Sequence, residues 1–199
     1  MLKKWIGILA IVLVVAIVGY SLSLRRSEQP KYTVLQQAGA IEIREYSPMI
    51  VAQVTRLGNR EQAINSGFRA LANYIFAKTR DGDKIAMTAP VMQEQNQDGT
   101  WTIMFVMPSE YTFETLPKPS NPDITLTQIP MRRLAAIRFS GSPNEKNIVK
   151  HQRTLQTYLQ DNQMAALSNP IYAFYNPPWT LPFLRRNEVM ILVPTNAPF

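Results

Sequence analysis

The chain opens with one long uninterrupted apolar run, and shorter patterned segments follow it. Residues 5–24 carry no charge and lie between two basic pairs, at 3–4 and 25–26. About 20 apolar residues span a bilayer core, whereas the apolar region of a signal peptide has roughly 7–15. The pattern therefore predicts an uncleaved single-span membrane anchor over residues 1–26, a polar linker at 27–31 and a domain at 32–199. A short basic N-terminus favours a cytoplasmic start, which places the domain outside the cytoplasm, in the periplasm of a bacterium.

Beyond the linker, hydrophobic positions repeat with the periods of strands and helices. Ile41 and Ile43 alternate with charged residues, as in a half-buried strand. Residues 59–78 predict a helix that Asn59 caps. A second helix opens at Ser142 with Ser as the expected cap. The predicted inward stripes, each 84 residues apart from its counterpart, are Ile64, Phe68, Leu71 and Ile75 in the first helix and Ile148, Gln152, Leu155 and Leu159 in the second.

The repeat extends to the strands. Two strands precede each helix, joined at Pro48 and again at Pro130, and two strands follow each helix, the first of them predicted at 84–92 in the first half. A unit with one amphipathic helix and an apolar sheet face cannot bury its core alone. The sequence thus predicts an α+β fold in which duplicated β-β-α-β-β units form a pseudo-twofold curved antiparallel sheet, a distorted barrel, with two helices outside.

The loop before the last strand combines stiffness with large apolar groups. Residues 175–187 include three prolines, which fix φ and withhold N–H donors, together with Trp179, Phe183 and the cations Arg185 and Arg186. Such a loop should fold back over an apolar surface. Two interpretations remain open, a lid on the protein's own core and a lid over a flat hydrophobic ligand whose acidic groups meet the arginines.

The net charge and the residue types present limit the classes of function that the sequence predicts. The net charge is +7, but four of the 21 Lys and Arg flank the apolar run, which leaves 17 against 14 acidic residues beyond it. This balance and the absence of a nucleic-acid motif predict no nucleic-acid partner. With no cysteine, one histidine, and neither a Gly-x-Ser-x-Gly nor a phosphate-loop motif, nothing indicates an enzyme. His151 is a candidate for packing at the core edge, or for ligating a haem iron.

Several phrases in order resemble the SOUL/haem-binding protein family. They are IREY at 43–46, AQV at 52–54, IAMTAP at 85–90, FVMP at 105–108, FSG at 139–141, YNPP at 175–178 and RRNE at 185–188. The resemblance covers residues 32–193. It implies a twisted antiparallel barrel-like sheet with two helices that binds haem or other porphyrins reversibly, in a surface groove near the first helix and the loop before the last strand.

The resemblance also implies the residues of that groove. On this sequence they are Asn65, Phe68, Leu71, Trp179, Phe183, Arg185 and Arg186. Some relatives ligate iron through a histidine early in the domain, where this chain has none, so the candidates for an iron ligand are His151, a tyrosine or a methionine, or the iron has no protein ligand. The leading expectation is a membrane-tethered, non-enzymatic, monomeric tetrapyrrole binder that buffers or transfers haem. The alternatives are a general binder of small amphipathic ligands, resembling bacterial effector-binding domains, and a protein-interaction module that uses the 177–186 loop.

Overall fold

The computed structural model describes residues 27–195 of the chain. Within these residues no helix is long and apolar enough to cross a bilayer. The anchor predicted at residues 1–26 lies outside the described part of the chain.

Nine strands and two α-helices form the described domain. The strands are β1 Tyr32–Ala38, β2 Ile41–Tyr46, β3 Met49–Arg56, β4 Val91–Gln95, β5 Trp101–Val106, β6 Thr125–Ile129, β7 Arg132–Phe139, β8 Ile171–Phe174 and β9 Asn187–Val193. The helices are α1 Arg60–Ile75 and α2 Glu145–Asp161, and a 3-10 turn covers Pro182–Leu184. The predicted α+β class, with a curled antiparallel sheet and two helices, is confirmed.

The strand order is symmetric about its central pair, β4 and β8. It reads β1-β2-β7-β9-β8-β4-β5-β3-β6, so each strand from β2 to β6 has a counterpart at the same distance from the centre. The turns at Pro48 and Pro130 do not close hairpins, however. Strand β2 pairs with β7 of the other half, and β3 pairs with β6. The two halves therefore exchange their outer strands, and neither sheet is complete without the other.

The sheet separates two kinds of core. On one face α1 packs over β3 and β5, and α2 packs over β7 and β9. The opposite face carries strand side chains alone, and Met92, Met104 and Met190 are buried there. Strands β5 and β9 are therefore buried on both sides, which explains why most of their residues are apolar.

Two local predictions need correction. Residues 84–90 form no regular strand, and β4 begins only at Val91, because Pro90 has no N–H to give to a ladder. The second helix is capped by Asn144, whose side chain accepts a hydrogen bond from the backbone N–H of Asn147, and not by Ser142. The cap predicted for α1 at Asn59 is confirmed.

Helix α1 turns a smaller face to the sheet than the pattern predicted. Its buried side includes Ala63, Gly67 and Leu71, whereas Ile64 is half-buried and Phe68 is 41% exposed. Two small residues let the helix sit close to β5, so the large apolar groups beside them remain at its edge. Those groups face a groove that is described below.

Replacing Gly67 with alanine should destabilise the fold. A Cβ there would lie 2.8 Å from Cδ1 and 3.2 Å from Cβ of the buried Ile103, so the whole side chain would have to move. We expect Gly67→Ala to lower the free energy of unfolding by about 1–3 kcal/mol in urea, despite alanine's better helix propensity. Ser66→Ala on the exposed side of the same helix is the control and should change it little. A more stable Gly67→Ala variant would contradict this packing.

Candidate functional site

A groove of about 260 Å³ lies between α1 and the loop of residues 176–185. Its walls are mostly apolar, and its floor is the sheet at the central strands β4 and β8. The lining residues are Arg60, Ile64, Phe68, Val91, Gln93, Pro143, Phe174, Asn176, Pro177, Pro178, Arg185 and Asn187. The position next to the first helix and the loop before the last strand is the one expected from the resemblance.

The apolar walls follow from the close approach of α1 to the sheet. Ile64 and Phe68, excluded from the tight helix–sheet contact, line the groove, and Phe68 packs edge-on against Phe105 with ring centroids 5.2 Å apart. On the other side Pro177 and Pro178 form a wall that cannot relax easily because φ is fixed at both. The site is thus largely formed without a ligand, as is usual for small-molecule sites.

Arg60 is one of two arginines that line this groove, and the sequence pattern missed it. This first residue of α1 does not belong to the inward stripe predicted for the helix. Its guanidinium carbon in fact lies 5.6 Å and 5.5 Å from the ring centroids of Tyr172 and Phe174 on β8. Burial lowers the pKa of Arg60, and its Nε atom is buried without a hydrogen-bond partner. A basic residue in the first turn opposes the helix dipole, and that was the available signal.

A second polar side chain in the groove is incompletely paired. Gln93 on β4 is 4% exposed, and its Oε1 atom has no hydrogen-bond partner. A buried polar atom left unpaired costs roughly 1–3 kcal/mol. Together with Arg60, it gives the mostly apolar groove an unpaired donor and an unpaired acceptor that a polar group of a ligand could satisfy.

A larger cavity of about 860 Å³ adjoins the groove between the N-terminal ends of α1 and α2. The two share Arg60, Ile64 and Pro143. The predicted site residue Asn65 lines this second cavity and not the groove. Its walls include aromatic side chains and the carboxylates of α1 and α2, namely Trp101, Tyr172, Glu61 and Glu145.

Only some of the predicted site residues in the loop line the groove. Arg185 lines the groove, and its Nε donates to the carbonyl of Thr180 at 2.7 Å. Trp179 and Phe183 are 72% and 70% exposed and do not line the groove. Leu71 also lies elsewhere, because it is fully buried in the core under α1. Of the seven predicted residues, the structure therefore brings only Phe68 and Arg185 together in the groove.

Comparison with known proteins decides the family. The family model described as SOUL heme-binding protein matches residues 27–192, nearly the whole described domain. The chain belongs to the SOUL family. It is 29% identical to human heme-binding protein 2 over 170 residues, which cover 81% of this chain and 82% of the relative, and 28% identical to the mouse protein over the same shares.

Solved structures show the same fold in distant proteins. The C-terminal domain of EcmrR superposes with a TM-score of 0.62 at 11% identity, over 82% of this chain and 98% of that one. A hydrolase from Listeria innocua superposes with a TM-score of 0.53 at 12% identity, over 80% and 94%. At such low identity the likeness extends to the fold alone.

In this SOUL domain the second arginine of the loop points away from the groove. Arg186 lies on the sheet face opposite the helices, where its Nε donates to Glu188 Oε1 at 2.9 Å and its guanidinium covers the ring of Tyr175 at 3.8 Å. Adjacent residues of an extended chain point to opposite sides, and only Arg185 can therefore face the helices. Of the two arginines predicted for the groove, the structure places Arg185 there and Arg186 on the opposite side of the sheet.

Arg186 joins a buried network centred on Glu188. Arg44 donates to both carboxylate oxygens of Glu188, from Nη1 at 2.7 Å and from Nη2 at 3.0 Å, and the hydroxyl of Tyr175 donates at 2.8 Å. Burial favours the protonated acid, but these hydrogen bonds and cations prevail and lower the pKa of Glu188. Burial, with the adjacent carboxylate, raises the pKa of Tyr46 to about 12 and also raises that of Tyr175.

His151 also lies outside the groove. Its ring stacks on Phe139 at 4.1 Å with an interplanar angle of 9°, and its Nδ1 is 2.7 Å from the carbonyl oxygen of Asn147. Neither cavity described above is lined by it. No His, Cys or Met is among the described residues that line the groove, so the groove supplies no usual axial ligand for a haem iron.

Neutralising Glu188 should strongly destabilise this domain. Glu188→Gln would leave the buried Arg44 without its carboxylate, for which we expect a loss of about 3–5 kcal/mol at pH 7 in urea unfolding. Because the folded pKa of Glu188 lies below its ordinary 4.5, its contribution to stability is present above that value. The contribution disappears as the pH falls through the folded pKa.

The difference between wild type and Glu188→Gln should therefore shrink at acid pH. Glu110→Gln, at an exposed loop position, is the control and should follow the wild type. A difference that does not change between pH 7 and pH 3 would contradict the assignment of a charged Glu188.

Proposed function

We propose that this protein is a membrane-tethered, non-enzymatic tetrapyrrole binder that holds haem or another porphyrin reversibly in the groove beside α1. In this proposal it acts as a monomer without a nucleic-acid partner and buffers or hands on haem at the extracytoplasmic membrane surface. Membership of the SOUL family and the names of the human and mouse relatives support a haem ligand. The observation that carries the proposal is Arg60, a half-buried cation whose Nε atom is buried and unpaired in a groove with mostly apolar walls.

The groove residues fit the chemistry of a porphyrin. Phe68, Ile64 and the two loop prolines offer flat apolar surface to the macrocycle, while Arg60 and Arg185 can each pair with a propionate. A volume of about 260 Å³ is slightly below the roughly 300–1,000 Å³ of sites that enclose drug-sized ligands. The groove would therefore leave one edge of the ligand in solvent, which suits reversible binding.

Iron has a secondary place in this proposal. A bound haem would supply a redox-active iron, but the described lining residues include none of its usual protein ligands. Arg60 and Arg185 would hold the propionates, and the apolar walls would exclude water from the ring. Iron-free protoporphyrin should then bind about as tightly as haemin.

One observation favours a second candidate, a general binder of amphipathic cations. The larger cavity brings Glu61 and Glu145 together with the aromatic rings of Trp101 and Tyr172. Carboxylates and aromatic faces both attract an organic cation. Arg60 at the edge of the same cavity opposes this use, which is why the porphyrin proposal is preferred.

Titration of haemin and of protoporphyrin into the 27–199 domain, followed by the Soret band and by Trp fluorescence, tests the porphyrin proposal. We expect saturable one-to-one binding of both. Arg60→Gln removes a charge-assisted hydrogen bond of about 1.5–3 kcal/mol and should weaken both ligands by roughly 10- to 100-fold. Phe68→Ala should weaken them by about 10-fold through lost apolar contact.

Matched controls lie on the same helix and directly after its end. Arg69→Gln removes an exposed cation outside the groove, and Phe76→Ala removes a ring that is 39% exposed, against 41% for Phe68. Both should bind like the wild type. Binding of haemin alone, lost in His151→Ala, would show instead that iron ligation dominates. Saturable binding of an organic cation without either porphyrin would favour the second candidate.

Membrane tethering has its own test, independent of any ligand. The full chain should stay with the membrane fraction after alkaline carbonate extraction, because about 20 apolar residues suffice to span a bilayer. The 27–199 fragment should be released. Release of the intact full chain would contradict an anchor at residues 1–26, and release of a shortened chain would show that the segment is cleaved.

A further inference from the structure

Four large apolar side chains project into solvent from the loop before β9. They are Trp179, Leu181, Phe183 and Leu184, and they are 72%, 53%, 70% and 47% exposed. We call this set the loop tip. Single exposed apolar residues are common on soluble proteins, but a contiguous group of four, half of it aromatic, marks an interaction surface.

The loop that carries the tip is held in place by its own hydrogen bonds. The Thr180 N–H donates to the Pro177 carbonyl at 3.0 Å, and the Leu184 N–H donates to the Leu181 carbonyl at 2.9 Å. Arg185 Nε closes the base on the carbonyl of Thr180. A stiff loop loses little conformational entropy when a partner covers it, so the tip is ready for docking.

The tip lies beside the segment that leaves the domain toward the predicted anchor. Gln29 Oε1 accepts a hydrogen bond from Arg186 Nη1 at 3.0 Å, and Arg186 follows the tip by two residues. The neighbouring Glu28 is fixed to the domain through its carbonyl, which accepts from Ala89 N–H at 2.9 Å. Residue 24, where the charge-free run ends, is five residues before Gln29 and thus within about 17 Å of it along an extended chain.

Charge around the tip suits an anionic surface. No Asp or Glu occurs in residues 175–187. Arg185 makes no ion pair with an acidic residue in the described part of the chain, since its hydrogen bonds go to carbonyl groups. Trp is enriched at membrane–water interfaces, and cations beside apolar side chains strengthen the binding of protein segments to anionic lipid.

From these observations we infer that the loop tip inserts into the interfacial layer of the bilayer that holds the chain, and that the groove thereby opens at the membrane surface. The inference rests on the proposed tether. Pro177, Pro178 and Arg185 at the base of the loop line the groove while its tip points outward. An amphipathic ligand dissolved in the bilayer would then reach the groove without crossing bulk water, which deepens the proposed role in haem handling.

The chain offers a clean labelling experiment because it contains no cysteine. Phe183→Cys and, separately, Leu57→Cys are labelled with nitrobenzoxadiazole in the full-length protein. Each is reconstituted into vesicles of phosphatidylcholine and phosphatidylglycerol, with and without headgroup nitroxide lipids. Leu57 is the matched control, since it is 82% exposed and directly follows β3. Met49, at the other end of β3, and Met107, just after β5, line a cavity together with Glu28, which leads toward the predicted anchor. Leu57 therefore lies at the end of β3 that is farther from the predicted anchor.

The expected result is a blue-shifted label at 183 that nitroxide lipid quenches severalfold more than the label at 57. Equal quenching at both positions would overturn the inference, because the domain would then lie on lipid without using the tip. An unquenched label at 183 would also overturn it and would favour a protein partner for the tip. Trp179→Ser labelled at 183 gives a second readout, with quenching expected to fall toward that of the label at 57, because losing one inserted aromatic should weaken membrane insertion by about 10-fold or more.

Haemin binding by the same samples keeps the two proposals separate. Quenching at 183 without a saturable Soret change would support docking and contradict the porphyrin proposal. A saturable Soret change with no quenching at 183 would do the reverse. Because the tip residues do not line the groove, their replacement should leave the affinity for haemin unchanged while slowing its uptake from vesicles.

Discussion

A single buried carboxylate organises the domain. Glu188 is fully buried on β9 and receives two hydrogen bonds from Arg44 on β2, a residue that is 1% exposed. Burying either charge alone would be prohibitive, so an early strand of the chain, β2, and its last strand, β9, must come together for both. The pair spans the width of β7, which lies between its two strands. Tyr175 and Arg186 bind the same carboxylate from the two ends of the loop between β8 and β9. The wall of the groove on one face of the sheet is thus fastened by charges on the other.

The division of labour between the two sheet faces explains the character of the site. On the helix-covered face, small residues draw α1 onto β5 and leave Ile64 and Phe68 at the edge. The groove is the space left between this helix and the stiff loop. Arg60 extends from the helix across that space toward the aromatic rings of β8. The apolar walls are thus a by-product of how the core packs, while the polar atoms that are left unpaired give the groove its chemistry.

Much of the fold could be predicted from the sequence, because periodicity reports directly on burial. The alternation around Ile41 and the stripe of α2 through Leu155 correspond to buried faces. The repeat with an offset of 84 gave the symmetry of the strand order. Periodicity shows which side of a strand is buried but not which strand lies beside it. The exchange of β2 and β6 between the halves was therefore beyond its reach.

The site was less predictable for a related reason. In an extended chain, successive side chains point to opposite faces of the sheet, so a shift of one residue decides whether a cation faces the groove. Arg185 lines the groove, whereas its neighbour Arg186 points to the opposite face. Composition could show that the 176–185 loop is stiff and apolar. It could not show that the base of the loop would line the groove while Trp179 and Phe183 point outward. Arg60 was hidden because its side chain interacts across the groove with a strand more than 100 residues later.

The exchange of strands between the halves also bears on how the protein is made. Strand β2 can pair at once with β1, but its second partner β7 is synthesised almost 100 residues later, and β9 must still follow before Arg44 meets its carboxylate. Such non-local pairing delays folding. A nascent chain would carry an incomplete, edge-exposed sheet until its last strands have been made. Protection of that intermediate, rather than the stability of the finished domain, becomes the demanding step of its biogenesis.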